Sequence, residues 1–389
     1  MIEKRTIPIP PHLTKRYRGN VLALGAELKA NFSLADGKNI RWYSGFGDLK
    51  DVDAYGVYWD AIKRALRNEK KAPQIIVHDA HPQFLSTQLA NELRATRLER
   101  AELVSVQHHH AHVAAAALLA QCSGRRLVGM ACDGTGWGHD GTFWGCECFG
   151  GRLSDLKRVG HLANFPLPGA DKVVSEPWRV AVALLYVAYG KKIFDFGIPW
   201  IKKKREKIEL VLRLLERGVR APLASSAGRL FDGVAALCGL CLEQGSEAEA
   251  PRMLEQKAKG IDMRIVRPYR VVIRQGNDGA ELQVSPIVRG IVQDLQDKVP
   301  VEKIAARFHA AFSIGVSRLC EATARQKKAH DVVLAGGVFF NAIVTRTVSA
   351  RLAQRGLNVH VPEAAGIGDG VISLGQAVMG YVLGSSGSH

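Results

Sequence analysis

The chain has 389 residues, 47% hydrophobic and 23% charged, with 53 Lys and Arg against 37 Asp and Glu, a formal net charge of +16. That length exceeds one small core and predicts two lobes, or a large domain with an inserted segment. No run reaches the ~18 apolar residues of a membrane span. Seven cysteines, an odd number in so long a chain, argue against a disulfide framework.

The start, MIEKRTIPIPPH, has no signal-peptide core, so a cytoplasmic location is expected. The positive charge suits an acidic partner, a phosphate-bearing ligand or RNA. Only Arg67–Lys71 and Lys202–Lys207 form basic runs, however, which reads as solvated surface charge.

In chain order, Val21–Ala26 and Phe32–Leu34 read as a strand pair around a glycine turn, Ala54–Leu66 as a helix and Ile75–His78 as a short buried strand. Ser86–Thr96 is a helix and Val104–Val106 a strand, after which a histidine cluster opens a helix to about Leu119. Leu127–Cys132 and Phe143–Phe149 are strands flanking a glycine-rich turn. Glu176–Leu254 is mainly helical; the CxxC pair Cys238 and Cys241 within it has no second pair to complete a zinc site and reads as buried thiols.

Tyr269–Gln283 is a hairpin around Gly276–Gly279. Val301–Gln326 is an amphipathic helix with Ile304, Phe308, Phe312 and Leu319 on one stripe. Asp331–Ala335 is a buried strand ending in Gly336–Gly337, followed by a helix over Asn341–Ala353, a strand over Val359–Val361 and a last helix over Val371–Tyr381. The Gly/Ser tail Gly384–His389 is expected to be unstructured. The alternation of strands and helices predicts an α/β architecture. No internal repeat is visible in the residues.

Four segments carry chemistry. In VQHHHAHVAAA, His108 and His112 stand four apart and project from one helical face, the spacing at which two imidazoles grip one transition metal. His109 and His110 point elsewhere and suit a supporting shell. In LVGMACDGTGWGHDGTFWG, a strand delivers Asp133 into a Gly134-Thr135-Gly136 turn, whose glycines let backbone amides approach a phosphate. In VVLAGGVFFN, a strand runs through Gly336 and Gly337 into a helix, a shape that holds a nucleotide, with Asn341 as a hydrogen-bonding side chain. In GIGDGVISLGQA, Asp369 is either a helix N-terminal charge or a further metal ligand. Together they describe a metal-bridged nucleotide pocket between two lobes.

These segments occur in order with SEPWR (Ser175–Arg179), SSAGRLFDGVAAL (Ser225–Leu237), VLALGAELKANFSL and VHDAHPQFLST (Val77–Thr87). The set resembles the C-terminal domain of the HypF hydrogenase-maturation carbamoyltransferases, from about Val21 to Val378. The resemblance implies a two-lobed actin-like ATPase fold of the kind used by the tRNA threonylcarbamoyl transferases. The expected division is an N-terminal extension (1–20), a first α/β lobe (21–124), a second lobe (125–370) with a helical insertion at about 176–260, and a C-terminal helix and tail (371–389).

The resemblance further implies a metal held by His108, His112, Asp133 and Asp369. It implies nucleotide contacts from Asp133–Gly136, Gly336–Gly337 and Asn341, with Asp232 on the ribose side. The implied cofactors are ATP or carbamoyl adenylate and a divalent metal, iron or zinc, with magnesium accompanying the nucleotide. The implied activity is ATP-dependent, metal-assisted carbamoyl transfer from carbamoyl phosphate, through the adenylate, to the C-terminal cysteine of a partner maturation protein, towards the cyanide ligands of the hydrogenase iron. No catalytic nucleophile is expected in this chain, because the partner supplies it.

The acylphosphatase, zinc-finger and adenylate-forming domains that precede this domain in full-length relatives are not in the sequence, which reads either as a piece of a longer protein, as a naturally short form, or as one whose partner is a separate adenylating domain or protein. Where relatives read Asn-Asp-Gly-Gly around the last Asp, Gly368 precedes Asp369 and Val371 replaces the second Gly. The family's aromatic-Glu-small-Gln stretch reads Ser246-Glu247-Ala248-Glu249. Two alternatives share the fold: a small-molecule O-carbamoyltransferase and a non-catalytic nucleotide-binding subunit. A tRNA-modifying role is disfavoured, because that branch lacks the DGTGWGHDG pattern.

Overall fold

The computed structural model describes residues 2–15, 17, 19–362 and 368–384. Residues 385–389 of the Gly/Ser tail and Gly366–Ile367 of the last glycine-rich segment lie outside the described residues. The first half runs β1 (Glu3–Pro8), β2 (Val21–Ala23), β3 (Asn31–Ala35), β4 (Asn39–Ser44), α1 (Val52–Arg67), β5 (Ile75–Asp79), α2 (Leu85–Thr96), β6 (Glu102–Val106) and α3 (His108–Leu119).

β2, β3 and β4 follow one another through short loops and pair antiparallel. β5 and β6 pair parallel because each arrives through a helical crossover. The segment read as an N-terminal extension supplies β1, a polar edge strand on β4.

The second half opens with β7 (Leu127–Trp137), β8 (Phe143–Gly151) and β9 (Lys157–Leu162). A mainly helical stretch follows: β10 (Phe165–Pro166), α4 (Lys172–Ser175), α5 (Pro177–Tyr189), α6 (Pro199–Lys203), α7 (Arg205–Arg217), β11 (Leu223–Ala224), α8 (Ala227–Leu237) and α9 (Glu249–Ala258). Then come the hairpin β12 (Ile273–Gly276) and β13 (Gly279–Leu282), α10 (Ser285–Gln296), α11 (Val301–Lys327), β14 (Asp331–Ala335), α12 (Ala342–Ala353), β15 (Asn358–His360) and α13 (Ile372–Leu383).

The main path of the second sheet is β12-β13-β9-β8-β7-β14-β15. With the stretch between β9 and α11 set aside, the two halves share one order, β-β-β-α-β-α-β-α, beginning at β2 and at β7. This is the two-lobed actin-like arrangement. The duplication lies in the order of elements, not in residues: β5 reads IIVHD where its counterpart β14 reads DVVLA.

The sequence reading left out β1, β4, β9 and α10. β4 (NIRWYS) and β9 (KRVGHL) carry too many polar residues for an apolar run, and α10 is interrupted by Gly290, which packs under the Tyr269 ring. One reading needs correction. Gly134-Thr135-Gly136 is not the turn between β7 and β8. The strand continues through an irregularity between Cys132 and Gly136, re-pairs Gly136 with Trp144 and Trp137 with Phe143, and reverses at residues 138–142. A bulge of this kind re-aims a side chain without ending the strand, and here the side chain is Asp133.

The last helix of each half is exchanged. α3 leaves the first sheet but lies against β7 and β14 of the second, while α13 leaves the second sheet and lies on β2, β3 and β5 of the first. The two helices pack directly on each other. Small residues permit this: Ala111 and Ala114–Ala117 are buried on α3, and Gly375 of α13 sits so close to the Ala111 carbonyl that no Cβ fits.

Candidate metal centre and adjoining cleft

β6 passes into α3 with no intervening loop beyond Gln107, which caps the helix. Its Oε1 accepts the backbone N–H groups of His109 (2.7 Å) and His110 (3.2 Å). The cap fixes the first helical turn, so the one-face spacing of His108 and His112 becomes a physical pair with ring centroids 4.9 Å apart. The β7 bulge brings Asp133 to them, with its Oδ2 2.8 Å from His112 Nε2 and 3.8 Å from His108 Nε2.

Asp369, just before α13, completes the group. Its Oδ1 lies 3.5 Å from His108 Nε2 and 3.4 Å from His112 Nε2. The first sheet holds Asp369 in place: Asn31 Nδ2 donates to its carbonyl at 2.9 Å, Asn31 Oδ1 accepts Ser373 N–H at 2.8 Å, and Trp42 Nε1 donates to Gly370 O at 3.0 Å.

All four expected ligands therefore meet, each offering an atom within 4.8 Å of the others. Metal–ligand bonds of about 2.0–2.2 Å place tetrahedral ligands about 3.3–3.5 Å apart. Both Asp369 separations match that value and the His108–Asp133 separation is slightly wider. The direct His112–Asp133 hydrogen bond at 2.8 Å would open by about half an ångström around an ion. The donor set of two imidazoles and two carboxylates fits a divalent transition metal.

The charges are strongly coupled. Burial opposes a proton on His108, but hydrogen bonds with Asp133, Asp369 and Asp79 outweigh it and hold its pKa well above the usual histidine value. His112 is raised in the same way, against burial, by Asp133 and Asp369. Burial pushes Asp133 upward, yet the two histidines bring it well below the normal carboxylate range. Burial and the neighbouring Asp133 both raise Asp369, and the same histidines carry it below normal. The carboxylates are thus ionised, and a bound cation would take the place of the imidazole protons.

The neighbouring histidines differ from the sequence reading. His110 is half-buried, its ring 4.6 Å from Phe149, and burial pushes its pKa down to about 4, so it packs on the second sheet and not against the four-residue cluster. His109 is buried and bonded through Nδ1 to Gln107 Nε2 at 3.0 Å, and burial and the flanking histidines hold it neutral. The supporting contact comes instead from Asp79 at the end of β5, whose Oδ2 lies 2.8 Å from His108 Nδ1. Its sequence signal was a lone carboxylate closing an apolar strand, as Asp133 closes the apolar start of β7.

A cavity of about 450 Å³ adjoins the cluster and is lined by Asp133, Asp369, Gly134, Gly337, Lys29 and Arg229, among others. A larger one of about 750 Å³, walled by Trp144, Arg158 and Asp278, contains none of the four cluster residues. Of the expected nucleotide residues, Asp133, Gly134, Gly337 and Asn341 line the smaller cavity.

Thr135 is exposed and Gly136 packs against the His109 ring; neither lines this cavity. Gly336 shapes the wall from behind: its φ of +92° and its closeness to the Cys132 backbone exclude a side chain. Asn341 is largely committed within the protein. Its Oδ1 caps α12 by accepting Ile343 and Val344 N–H, and its Nδ2 lies 3.0 Å from His309 Nε2. Asp232 is fully buried with a carboxyl pushed up to about 6 by burial, against Arg229.

Arg229 Nε approaches Asp232 Oδ2 to 3.1 Å but is not aligned for a hydrogen bond. Its buried Nε and Nη1 have no acceptor, although the residue lines the cavity. Sequence reasoning missed Arg229, Lys29 and Arg252, the cations of this wall, because each is an isolated residue in its own segment.

Two family models match the chain. One is described as "HypF Kae1-like domain" and matches residues 16–118. The other is "Carbamoyltransferase, Kae1-like Domain, second subdomain" and matches residues 129–376. A carbamoyltransferase HypF homolog of Cupriavidus necator is 35% identical, with 92% of this chain aligned to 90% of that one. The probable carbamoyltransferase HypF of Methanocaldococcus jannaschii is 30% identical over 97% of this chain but only 48% of its own length. The chain thus spans about half the length of that relative and most of the former. A solved full-length HypF, in phosphate- and nucleotide-bound form, superposes with a TM-score of 0.88 at 28% identity, covering 99% of this chain and 48% of that one.

Proposed function

The chain belongs to the HypF family of carbamoyltransferases, and from that membership we propose that it transfers a carbamoyl group from carbamoyl adenylate to the C-terminal cysteine of a partner maturation protein. This step leads towards the cyanide ligands of the nickel–iron hydrogenase active site. ATP and carbamoyl phosphate are the source of the adenylate. No helix among the described residues is long and apolar enough to cross a membrane.

The observation that carries the reading is a single cavity bounded at once by Asp133 and Asp369, the two carboxylates of the His₂Asp₂ cluster, and by Arg229, a cavity-wall cation with unpartnered donors. Buried unpaired donors are costly, and an adenylate phosphate would satisfy them. His108, His112, Asp133 and Asp369 would hold the metal, which supplies Lewis acidity towards the phosphate or carbamoyl oxygens. Lys29, Arg229 and Arg252 would bind and orient the anion. Phe231 and Pro251 give the same cavity apolar wall for the base. The partner's sulfur attacks the carbamoyl carbon; a C–S bond forms, the C–O bond to the phosphate breaks and AMP leaves. This chain contributes positioning and charge, and no covalent residue.

Intact-mass measurement of the partner after incubation with this protein, an adenylating domain, ATP and carbamoyl phosphate tests the proposal. A carbamoyl increment on the terminal cysteine that disappears in His108→Ala supports it. No increment under these conditions would leave a non-catalytic nucleotide-binding subunit as the better account.

A further inference from the structure

β5 and β6 are parallel neighbours, with Asp79 level with Val106. Their C-terminal ends therefore lie side by side, and the chain leaving β6 reaches His108 only two residues later. This places the Asp79 carboxylate beside the outer edge of the His108 ring, at 2.8 Å from Nδ1, while the opposite edge faces Asp133 and Asp369. Asp79 is completely buried. A carboxylate in that environment is retained only when its oxygens are hydrogen-bonded.

Both oxygens are used. Oδ2 meets His108, and Oδ1 accepts the backbone N–H of His81 at 2.9 Å. The second bond anchors the turn that carries His81, which stacks on Phe84 and meets Trp137 edge-on. His112 has no equivalent support, since its Nδ1 is buried without a partner.

An ionised carboxylate only accepts. The nitrogen facing it must carry hydrogen, and in a singly protonated ring the other nitrogen then presents a lone pair. We infer that Asp79 is a positioning residue of the metal centre, selecting the His108 tautomer whose Nε2 is free to bind a cation. This rests on the reading of the four residues as a metal centre. In Asp79→Asn the side-chain amide can turn its N–H groups to Nδ1. That favours the tautomer with hydrogen on Nε2, which cannot ligate. Losing such a supporting contact costs about 10–100-fold in metal affinity.

The test uses the full chain and zinc, with a chromophoric chelator as competitor. Asp79→Asn should bind zinc at least about tenfold more weakly than wild type. Thr87→Ala removes the γ-methyl and the hydroxyl that donates to the Asp79 backbone carbonyl at 3.0 Å, leaves the Asp79 carboxylate in place and should leave zinc affinity unchanged.

A second measurement needs no variant: in zinc-loaded, ¹⁵N-histidine-labelled wild type, His108 should show a protonated, exchange-protected Nδ1 and a metal-bound Nε2. Zinc affinity in Asp79→Asn within twofold of wild type, or a proton on His108 Nε2, overturns the inference. If Asp79→Asn does not fold, the labelled wild type decides. Wild type that binds no zinc, cobalt or iron would instead sink the metal-centre reading beneath it.

Discussion

Replacing Gly375 with alanine probes how tightly the exchanged helices set the ligand geometry. A methyl group there would land on the Ala111 carbonyl oxygen, inside the 3.0 Å that real Cβ contacts respect. The obstacle is backbone, so no rotamer relieves it, and α3 and α13 must part by roughly an ångström. Overpacking of this kind costs about 1–3 kcal/mol, of which the better helix propensity of alanine returns up to about 1.

For 389 residues at about 2.1 cal/mol/K each, the unfolding entropy is about 0.8 kcal/mol/K, so a net 2 kcal/mol moves Tm by only about 2–3 °C. The four-residue cluster is the more sensitive reporter. His108 and His112 ride on α3 and Asp369 enters α13, so the same ångström falls between ligands that tolerate about 0.2 Å. Zinc affinity should fall at least about tenfold, or 1.4 kcal/mol.

Gly380→Ala supplies the contrast. Its methyl group would meet only the Val21 and Val77 side chains of the first sheet, so it should lower stability comparably and leave zinc affinity intact. Competition titration with a chelator and thermal unfolding of the metal-free proteins read both quantities. Wild-type zinc affinity in Gly375→Ala, or equal losses in the two variants, would refute the reasoning.

Metal-free stability and metal affinity should run in opposite directions with pH. The raised values of His108 and His112 stabilise the metal-free fold below the unfolded histidine value of 6.5, a contribution lost as pH rises through their folded values. The lowered values of Asp133 and Asp369 stabilise it above 3.8 and fail as pH falls through their folded values. The contribution is therefore full between about 3.8 and 6.5, whereas zinc-induced stabilisation should grow above that window as protons leave the imidazoles; thermal unfolding with and without zinc across pH checks both. Arg229→Lys should weaken binding of an adenosine phosphate about 10–100-fold by calorimetry, the loss of one or two charge-assisted hydrogen bonds. Arg229→Ala leaves the buried Asp232 carboxylate unopposed, so its deficit in chemical-denaturation stability should be larger at pH 8 than at pH 5. Six of the seven cysteines are buried and burial pushes the half-buried Cys238 thiol up to about 12, so none should react quickly with a disulfide reagent in the native protein.

The pairing of His108 and His112 was legible because a four-residue spacing on a helix puts two side chains on one face, and their ring centroids stand 4.9 Å apart. Asp133 was legible as the end of an apolar strand, although the bulge that aims it was mistaken for the turn beyond. Asp369 was ambiguous for a physical reason: what holds it is Asn31 and Trp42, more than 300 residues earlier, and no local pattern reports that. Asn341 shows the opposite case. An Asn after a glycine-rich turn suits a ligand and a helix cap equally well, and most of its bonding goes to the cap and His309. Asp79 went unassigned because its partner lies across a strand crossover.

The exchange of α3 and α13 has a consequence for synthesis. Each sheet buries one face beneath a helix that belongs to the other half, so neither half can finish its core alone. The first sheet and α3 are complete as sequence by Leu119, but the helix that covers that sheet begins at Ile372, some 250 residues later. At about 5–20 residues per second the ribosome needs roughly 10–50 s to deliver it. During that interval the first half exposes an apolar face, and His108 and His112 lack Asp369, which is made just before α13. The four-residue cluster therefore cannot assemble until the last helix of the chain is delivered.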